Sequence, residues 1–192
     1  SIDCAAPAHD GVAVSATVKM NEYVVIHTYP GPGNYTICFN QPNRNVGITN
    51  IPSSINQPMS LECFLAISSF GGPDTNPIFS NIPVAFGCMN SGCFSYDPQA
   101  AGDIDGDSLS FELAPCLVSG FIYPNAGTGG TFSINPVTGL LSWCNPQVAG
   151  DYNVVIRIKE WRNDGSGNYS LVGIVNRDTQ FTIESCTGIN DM

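Results

Sequence analysis

Runs in which apolar and polar residues alternate, or in which β-branched residues cluster, recur along this chain, each bounded by turn-forming residues. They are Val12 to Val18, Tyr23 to Thr28, Tyr35 to Phe39, Leu61 to Ile67, Ser108 to Leu113, Val154 to Ile158 and Thr179 to Ile183. A period of two sends successive side chains to opposite faces of a strand, and no comparable stretch carries an apolar stripe of period 3.6. The chain is therefore predicted to be all-β. Without helices to serve as crossovers, its strands suit Greek-key sandwiches better than parallel sheets.

A chain of 192 residues holds one large β domain or two small ones. The segment SSFGGPDTNPIFSNIP, from Ser68 to Pro83, concentrates Gly, Pro, Asn and Ser between two strand-rich halves. It predicts two β-sandwich domains in tandem, residues 1–75 and 76–192. The first half is short for a full sandwich. It is expected either to be truncated or to be completed by strands from a partner.

Eight cysteines, at positions 4, 38, 63, 88, 93, 116, 144 and 186, include no CxxC pair of the kind that zinc sites use. Disulfides formed in an oxidising compartment are the better reading. Eight cysteines allow 105 connectivities, and sequence does not choose among them. The expected pairs are Cys88 with Cys93, around a short loop, and Cys116 with Cys144, at the ends of two neighbouring strands. No apolar run approaches the roughly 20 residues of a membrane helix, so membrane insertion is not expected. Ser1 does not open a signal peptide, and the chain reads as a processed or excised piece of a secreted protein.

Only 11% of residues are charged, and 16 Asp and Glu against 6 Lys and Arg give a net charge of −10. That balance repels nucleic acid and attracts cations. The acidic residues are most concentrated in Asp103-Ile-Asp105-Gly-Asp107-Ser-Leu-Ser-Phe111, three carboxylates on alternate residues leading into a strand. Hard divalent cations take six to eight oxygen ligands, and Gly106 can turn the backbone so that Asp103, Asp105 and Asp107 converge. Calcium is the natural candidate, with Asp97 and Glu160 as further ligands to test. The spacing is not that of an EF-hand, since Ser108 and Ala114 stand where that loop needs Gly and an acid. A solvated Asp/Gly turn at the start of a strand explains the same residues, and both readings stay open.

Thr131 to Trp143 reads as strand, turn, strand, with Pro136 and Gly139 suited to the turn. Trp143 is expected in the core. Asp164-Gly165 marks a second hairpin, between the strand that follows Ala149-Gly-Asp-Tyr152 and the one that begins at Ser170. Asn34-Tyr-Thr36 and Asn168-Tyr-Ser170 fit the N-glycosylation pattern and indicate exposed turns at most. The only histidines, His9 and His27, lie near no nucleophile, and no phosphate loop, HExxH or GxSxG is present. An enzyme is not expected.

Three words of the second half, DIDGDSLSFEL, FSINPVTGLLSW and AGDYNVVIRIKEW, resemble in content and order the cadherin-like, dystroglycan-type immunoglobulin domains of bacterial surface proteins. The resemblance covers about residues 93 to 185 and makes the predicted sandwiches immunoglobulin-like. In the first half, IHTYPGPGNYTICF is similar to the closing strands of a PKD-type domain, and NRNVGITNIPSSI to a segment that accompanies such domains in surface proteins of Bacteroidetes. The opening strands of a PKD-type domain, with their WGDG-like turn, are absent. The ending Cys186-Thr-Gly-Ile-Asn-Asp-Met192 resembles the junction before a type IX secretion sorting domain. The resemblance strengthens Asp103, Asp105 and Asp107 as calcium candidates.

Together these features imply a non-catalytic extracellular module at the bacterial cell surface, structural or adhesive, braced by disulfides and stiffened by calcium. Its expected partners are other copies of itself or neighbouring domains of a larger surface protein or filament. The alternative is a carbohydrate-binding module in which Tyr123, Trp161 or Tyr169 stack on a glycan. The same aromatics are explained equally by burial.

Overall fold

The computed structural model describes residues 11–13, 19–69, 72, 74–90, 92–100 and 103–186. Of the sequence features above, residues 14–18 of the first predicted run, His9, Cys4 and the ending from Thr187 onward lie outside them. Within them the chain is all-β apart from one short 3-10 turn, η1 (Ser54–Asn56). The strands are β1 (Val12–Ala13), β2 (Lys19–Met20), β3 (Gly33–Gln41), β4 (Met59–Ile67), β5 (Val84–Cys88), β6 (Cys93–Tyr96), β7 (Ser108–Ala114), β8 (Thr131–Ile134), β9 (Leu141–Cys144), β10 (Gly150–Asn163) and β11 (Tyr169–Glu184).

β1 and β2 form a small antiparallel pair. The main sheet runs β3-β4-β11-β10-β7, antiparallel throughout, with β5 added alongside the far end of β11. That last pairing, Val84 to Cys88 against Gln180 to Glu184, is parallel, an exception to the antiparallel pairing of the rest of the sheet. A second sheet has the order β6-β9-β8. The sheet containing β3 and β4, from before the predicted boundary, also contains β5, β7, β10 and β11 from after it.

The two sheets face each other across a core that takes Tyr96, Leu141 and Trp143 from one side and Tyr152, Val154, Ile156, Ile158, Phe181 and Ile183 from the other. The four β10 residues are two apart, so a single strand phase fills this layer. Trp143 is fully buried, and its indole N–H donates to the Asn125 carbonyl at 3.1 Å. Each large apolar side chain buried this way stabilises by about 1.5–3 kcal/mol. Gly139 closes the β8–β9 turn at φ 76, and a Cβ there would lie 2.8 Å from the Phe111 ring, so the turn requires glycine twice over.

In the opposite phase of β10, Asn153 and Val155 are buried too, while Arg157 and Lys159 are partly exposed. Val155 meets Ile48, Ile51, Ala114 and Cys116 in a second cluster, where the segment around η1 covers the outer face of the sheet. Asn50 fastens that segment to β10 by giving a hydrogen bond to the Asn153 carbonyl at 2.8 Å and accepting one from the Asn153 N–H at 3.0 Å.

The predicted run Tyr23 to Thr28 is not a strand. Its contacts to β3 are through rings, Tyr23 on Phe39 and, just beyond it, Tyr29 on Tyr35, with centroids 6.3 and 4.5 Å apart. No ladder forms there, and Pro30 and Pro32 at the bend have no N–H to give. Val24, Val25 and Ile26 are left exposed, Ile26 at 94%.

The expected disulfide pairs are corrected. Cys88 joins Cys186, and Cys93 joins Cys144. Cys88 and Cys93 leave β5 and β6 for different sheets, whereas Cys93 and Cys144 are direct neighbours in the β6–β9 ladder with Cα atoms 3.9 Å apart. Cys116 is a free thiol in the second cluster, on the far side of the main sheet from Cys144. Burial pushes that thiol up to about 12. Cys38 and Cys63 are also free. No helix among the described residues is long and apolar enough to cross a membrane.

Candidate cation site

The inward phase of β10 does not end on an apolar residue. Counting in twos from Tyr152 through Ile158 reaches Glu160, so strand alternation itself delivers a carboxylate to the core face. Glu160 is 0% exposed, and neither of its oxygens has a hydrogen-bond partner. Opposite it on β11 stands Gly173, where a Cβ would lie 2.6 Å from Glu160 Oε1. The missing side chain makes the space that the carboxylate fills. A β-bulge follows at once, between Glu160 and Trp161, as bulges do where a strand re-aims its side chains.

β7 is in register with this end of β10, Leu109 opposite Glu160 and Ser108 opposite Trp161, which sets the turn Asp103 to Asp107 beside Glu160. Asp103 organises the turn, its Oδ1 accepting the N–H groups of Asp105 at 2.7 Å and Asp107 at 3.4 Å. A fourth aspartate arrives from the linker between β4 and β5. The Thr75 N–H donates to Asp105 Oδ2 at 2.6 Å and ties the linker down, and Asp74 then joins Asp105 and Asp107, with carboxylate oxygens within 4.8 Å of one another.

Arg162 lies among these three. Its Nη2 is 2.7 Å from Asp74 Oδ1, 2.6 Å from Asp107 Oδ2 and 3.7 Å from Asp105 Oδ2, while its Nε donates to Asp107 Oδ1 at 3.1 Å. One guanidinium thus stands against five carboxylates. The oxygens it leaves, Asp74 Oδ2, Asp103 Oδ2 and both of Glu160, are buried without partners. Burial, reinforced by the charges of Asp74, Asp103 and Asp107, raises the Glu160 carboxyl to about 8. Burial likewise raises Asp74, against the pull of Arg162. Anionic oxygens stripped of water and given no donor are the set a hard divalent cation takes. The residues are of the type such an ion takes; the carboxylate oxygens shown to converge are those of Asp74, Asp105 and Asp107, which Arg162 bridges, while Asp74 Oδ2, Asp103 Oδ2 and Glu160 supply the oxygens without partners.

Of the residues singled out from sequence, Asp103, Asp105, Asp107 and Glu160 come together. Asp97 is bonded instead to the segment around Asn81, whose side-chain amide donates to its carbonyl at 2.7 Å, and its own carboxylate accepts the Gln99 N–H. Asp74 and Arg162 were not singled out. Asp74 sits in a Pro/Asn loop that reads as a bare linker, and Arg162 carried no spacing signal. The three aromatics do not form one platform among the described contacts. Tyr123 packs edge-on to Phe121 at 5.0 Å, Trp161 is half-buried and donates to Ser110 Oγ at 2.8 Å, and Tyr169 is exposed at the start of β11.

No protein-family model, curated protein or solved structure matches this chain.

Proposed function

We propose that the chain is a non-catalytic, extracellular structural or adhesive module of a bacterial surface protein or filament, whose acidic end binds calcium. The observation that carries the calcium reading is Glu160, fully buried, without a hydrogen-bond donor and facing Asp74, Asp103 and Asp107. When bound, the ion supplies a positive charge that Arg162 alone does not. Asp103, Asp74 and Glu160 would hold it, and it would then tie the linker, the turn before β7 and the core strand β10 to one another. A cross-link between three separate segments stiffens the end of the sheet.

The finer fold in this reading is two immunoglobulin-like units in tandem, PKD-like and then cadherin-like, the first incomplete and joined through β4 to the sheet of the second, from a type IX-secreted protein of Bacteroidetes. The support is the ordered sequence words, and the two disulfides are compatible with an oxidising, extracellular location. Its partners are other copies of itself or neighbouring domains. The exposed Val24, Val25 and Ile26 beside β3 favour assembly through the first half. Sedimentation showing monomers at every concentration removes self-assembly.

Thermal unfolding in calcium and in chelator tests the site. At a hundred-fold excess over its dissociation constant the ion stabilises by about 2.7 kcal/mol, a rise of roughly 5–10 °C in Tm for a chain of this length. Glu160→Gln is expected to lose most of that rise. Identical melting of the native protein with and without chelator removes calcium from the account.

A further inference from the structure

A second polar feature lies toward the other end of β10, at Asn153, roughly 23 Å along the strand from Glu160 at about 3.3 Å per residue. β4 and β11 pair at only two positions, Leu65 with Gly173 and Phe64 with Ile174. Toward Met59 and Gln180 the ladder stops and the strands part, leaving a cavity of about 270 Å³. At its floor Arg44 and Asp178 form an ion pair at 2.7 Å, each side chain only 2% exposed. Arg44 Nε donates to the Pro58 carbonyl at 3.1 Å, and its Nη2 is buried with no partner. Asn153 donates to Asp178 Oδ1 at 3.2 Å.

The remaining wall is amide. Gln41, Asn43, Asn45 and Gln180 join Asn153 around the opening, and Asn45 donates to Gln180 Oε1 at 3.1 Å across it. Met59 and Pro83 add an apolar strip. Primary amides give two donors and an acceptor each, and the carboxylate of Asp178 is neutralised by Arg44. Such a lining carries no net charge, offers amide donors and acceptors beyond those that Asn43, Asn45 and Asn153 spend on Ile55, Gln180 and Asp178, and provides one apolar strip. Hydroxyl groups on a ring, each able to give and accept, match it. Because Arg44 and Asp178 compensate each other, a charged ligand finds no net counter-charge there. The volume lies just below the range of drug-sized pockets and holds a single ring rather than an oligosaccharide.

We propose that this cavity binds one neutral, hydroxyl-rich ring of monosaccharide size. The site uses none of the aromatics Tyr123, Trp161 and Tyr169, and it does not rest on the calcium reading. A ligand of a dozen heavy atoms held by hydrogen bonds has an expected dissociation constant on the order of millimolar.

Saturation-transfer NMR on the full chain, with chelator present to silence the acidic end, tests it against neutral hexoses and their methyl glycosides at about 50 mM. Transfer to at least one sugar is expected. Gln180→Leu and, independently, Gln41→Leu are expected to weaken it at least ten-fold with melting temperature preserved, while Tyr169→Ala leaves it unchanged. Binding of the methyl glycosides assigns the site to the end of a glycan chain, and binding of free hexoses alone to a soluble sugar. No transfer from the folded protein to any sugar overturns the proposal. So does transfer that both cavity substitutions leave intact, since the sugar is then bound elsewhere.

Discussion

A carboxylate that has lost its water and gained no donor is more stable protonated than ionised, and Glu160 is in that position. Its carboxyl is raised from an ordinary 4.5 to about 8. Between those values the folded chain holds a proton that the unfolded chain releases, so stability falls as pH rises through the window. In chelator the melting temperature is expected to decline from about pH 5 to about pH 8, at up to about 1.4 kcal/mol per pH unit. Glu160→Gln, which has no charge to bury, is expected to flatten that slope. Calcium is expected to oppose it, since the ion favours the ionised form. A native protein with no slope in chelator shows that Glu160 titrates normally. Gly173→Ala probes the same residue from across the strand pair, because its Cβ takes the place of Glu160 Oε1. It is expected to cost about 1–3 kcal/mol and to weaken terbium or calcium binding at least ten-fold in luminescence titrations. Glu160 was singled out from the sequence only as an acidic residue; that it continues the phase of Tyr152, Val154, Ile156 and Ile158 into the core is what the structure adds. Asp74 was not, because a loop aspartate has no phase to read.

Among the elements, the hairpins were the most legible. The β8–β9 turn and the β10–β11 connection are local, and Pro136, Gly139 and Asp164-Gly165 specify them within a few residues. In the second, Asp164 accepts hydrogen bonds from the Ser166 and Asn168 N–H groups. The run Tyr23 to Thr28 has equal β character but forms no ladder; Tyr23, and Tyr29 just beyond the run, meet β3 through ring contacts. The small sheet depends instead on a covalent tie. Cys93 and Cys144 close a loop across a sequence separation of 51 residues, for which the chain-entropy relation gives about 4 kcal/mol. The double substitution Cys93→Ser with Cys144→Ser is expected to lower unfolding free energy in urea by about that amount, with the Cys88–Cys186 bond retained in mass analysis. An unchanged urea midpoint assigns the stability of β6 and β9 to packing around Trp143 alone.

At the scale of the molecule, the first-half segment around η1 is held to the second half by Arg44 on Asp178, by Asn50 on Asn153 and by the apolar cluster at Ile48, Ile51 and Val155. Burial raises the Asp178 carboxyl, with Arg44 pulling it back. Asp178→Ala leaves a buried guanidinium unpaired and is expected to cost about 3–5 kcal/mol, while Arg44→Met with Asp178→Leu is expected to cost far less in the same thermal melts. Equal losses in both show that the pair contributes by attraction rather than by mutual neutralisation. What the sequence by itself determined is what local periodicity and turn chemistry carry: an all-β chain, its two clear hairpins and the burial of Trp143. Only the tertiary structure decided the disulfide partners, the parallel pairing of β5 with β11, and the meeting of Asp74 with Arg162, 88 residues apart in sequence. Loop-closure entropy grows slowly with separation, so many distant partners cost nearly the same before packing. Choosing among them took the burial of both faces of β10, which no single segment encodes.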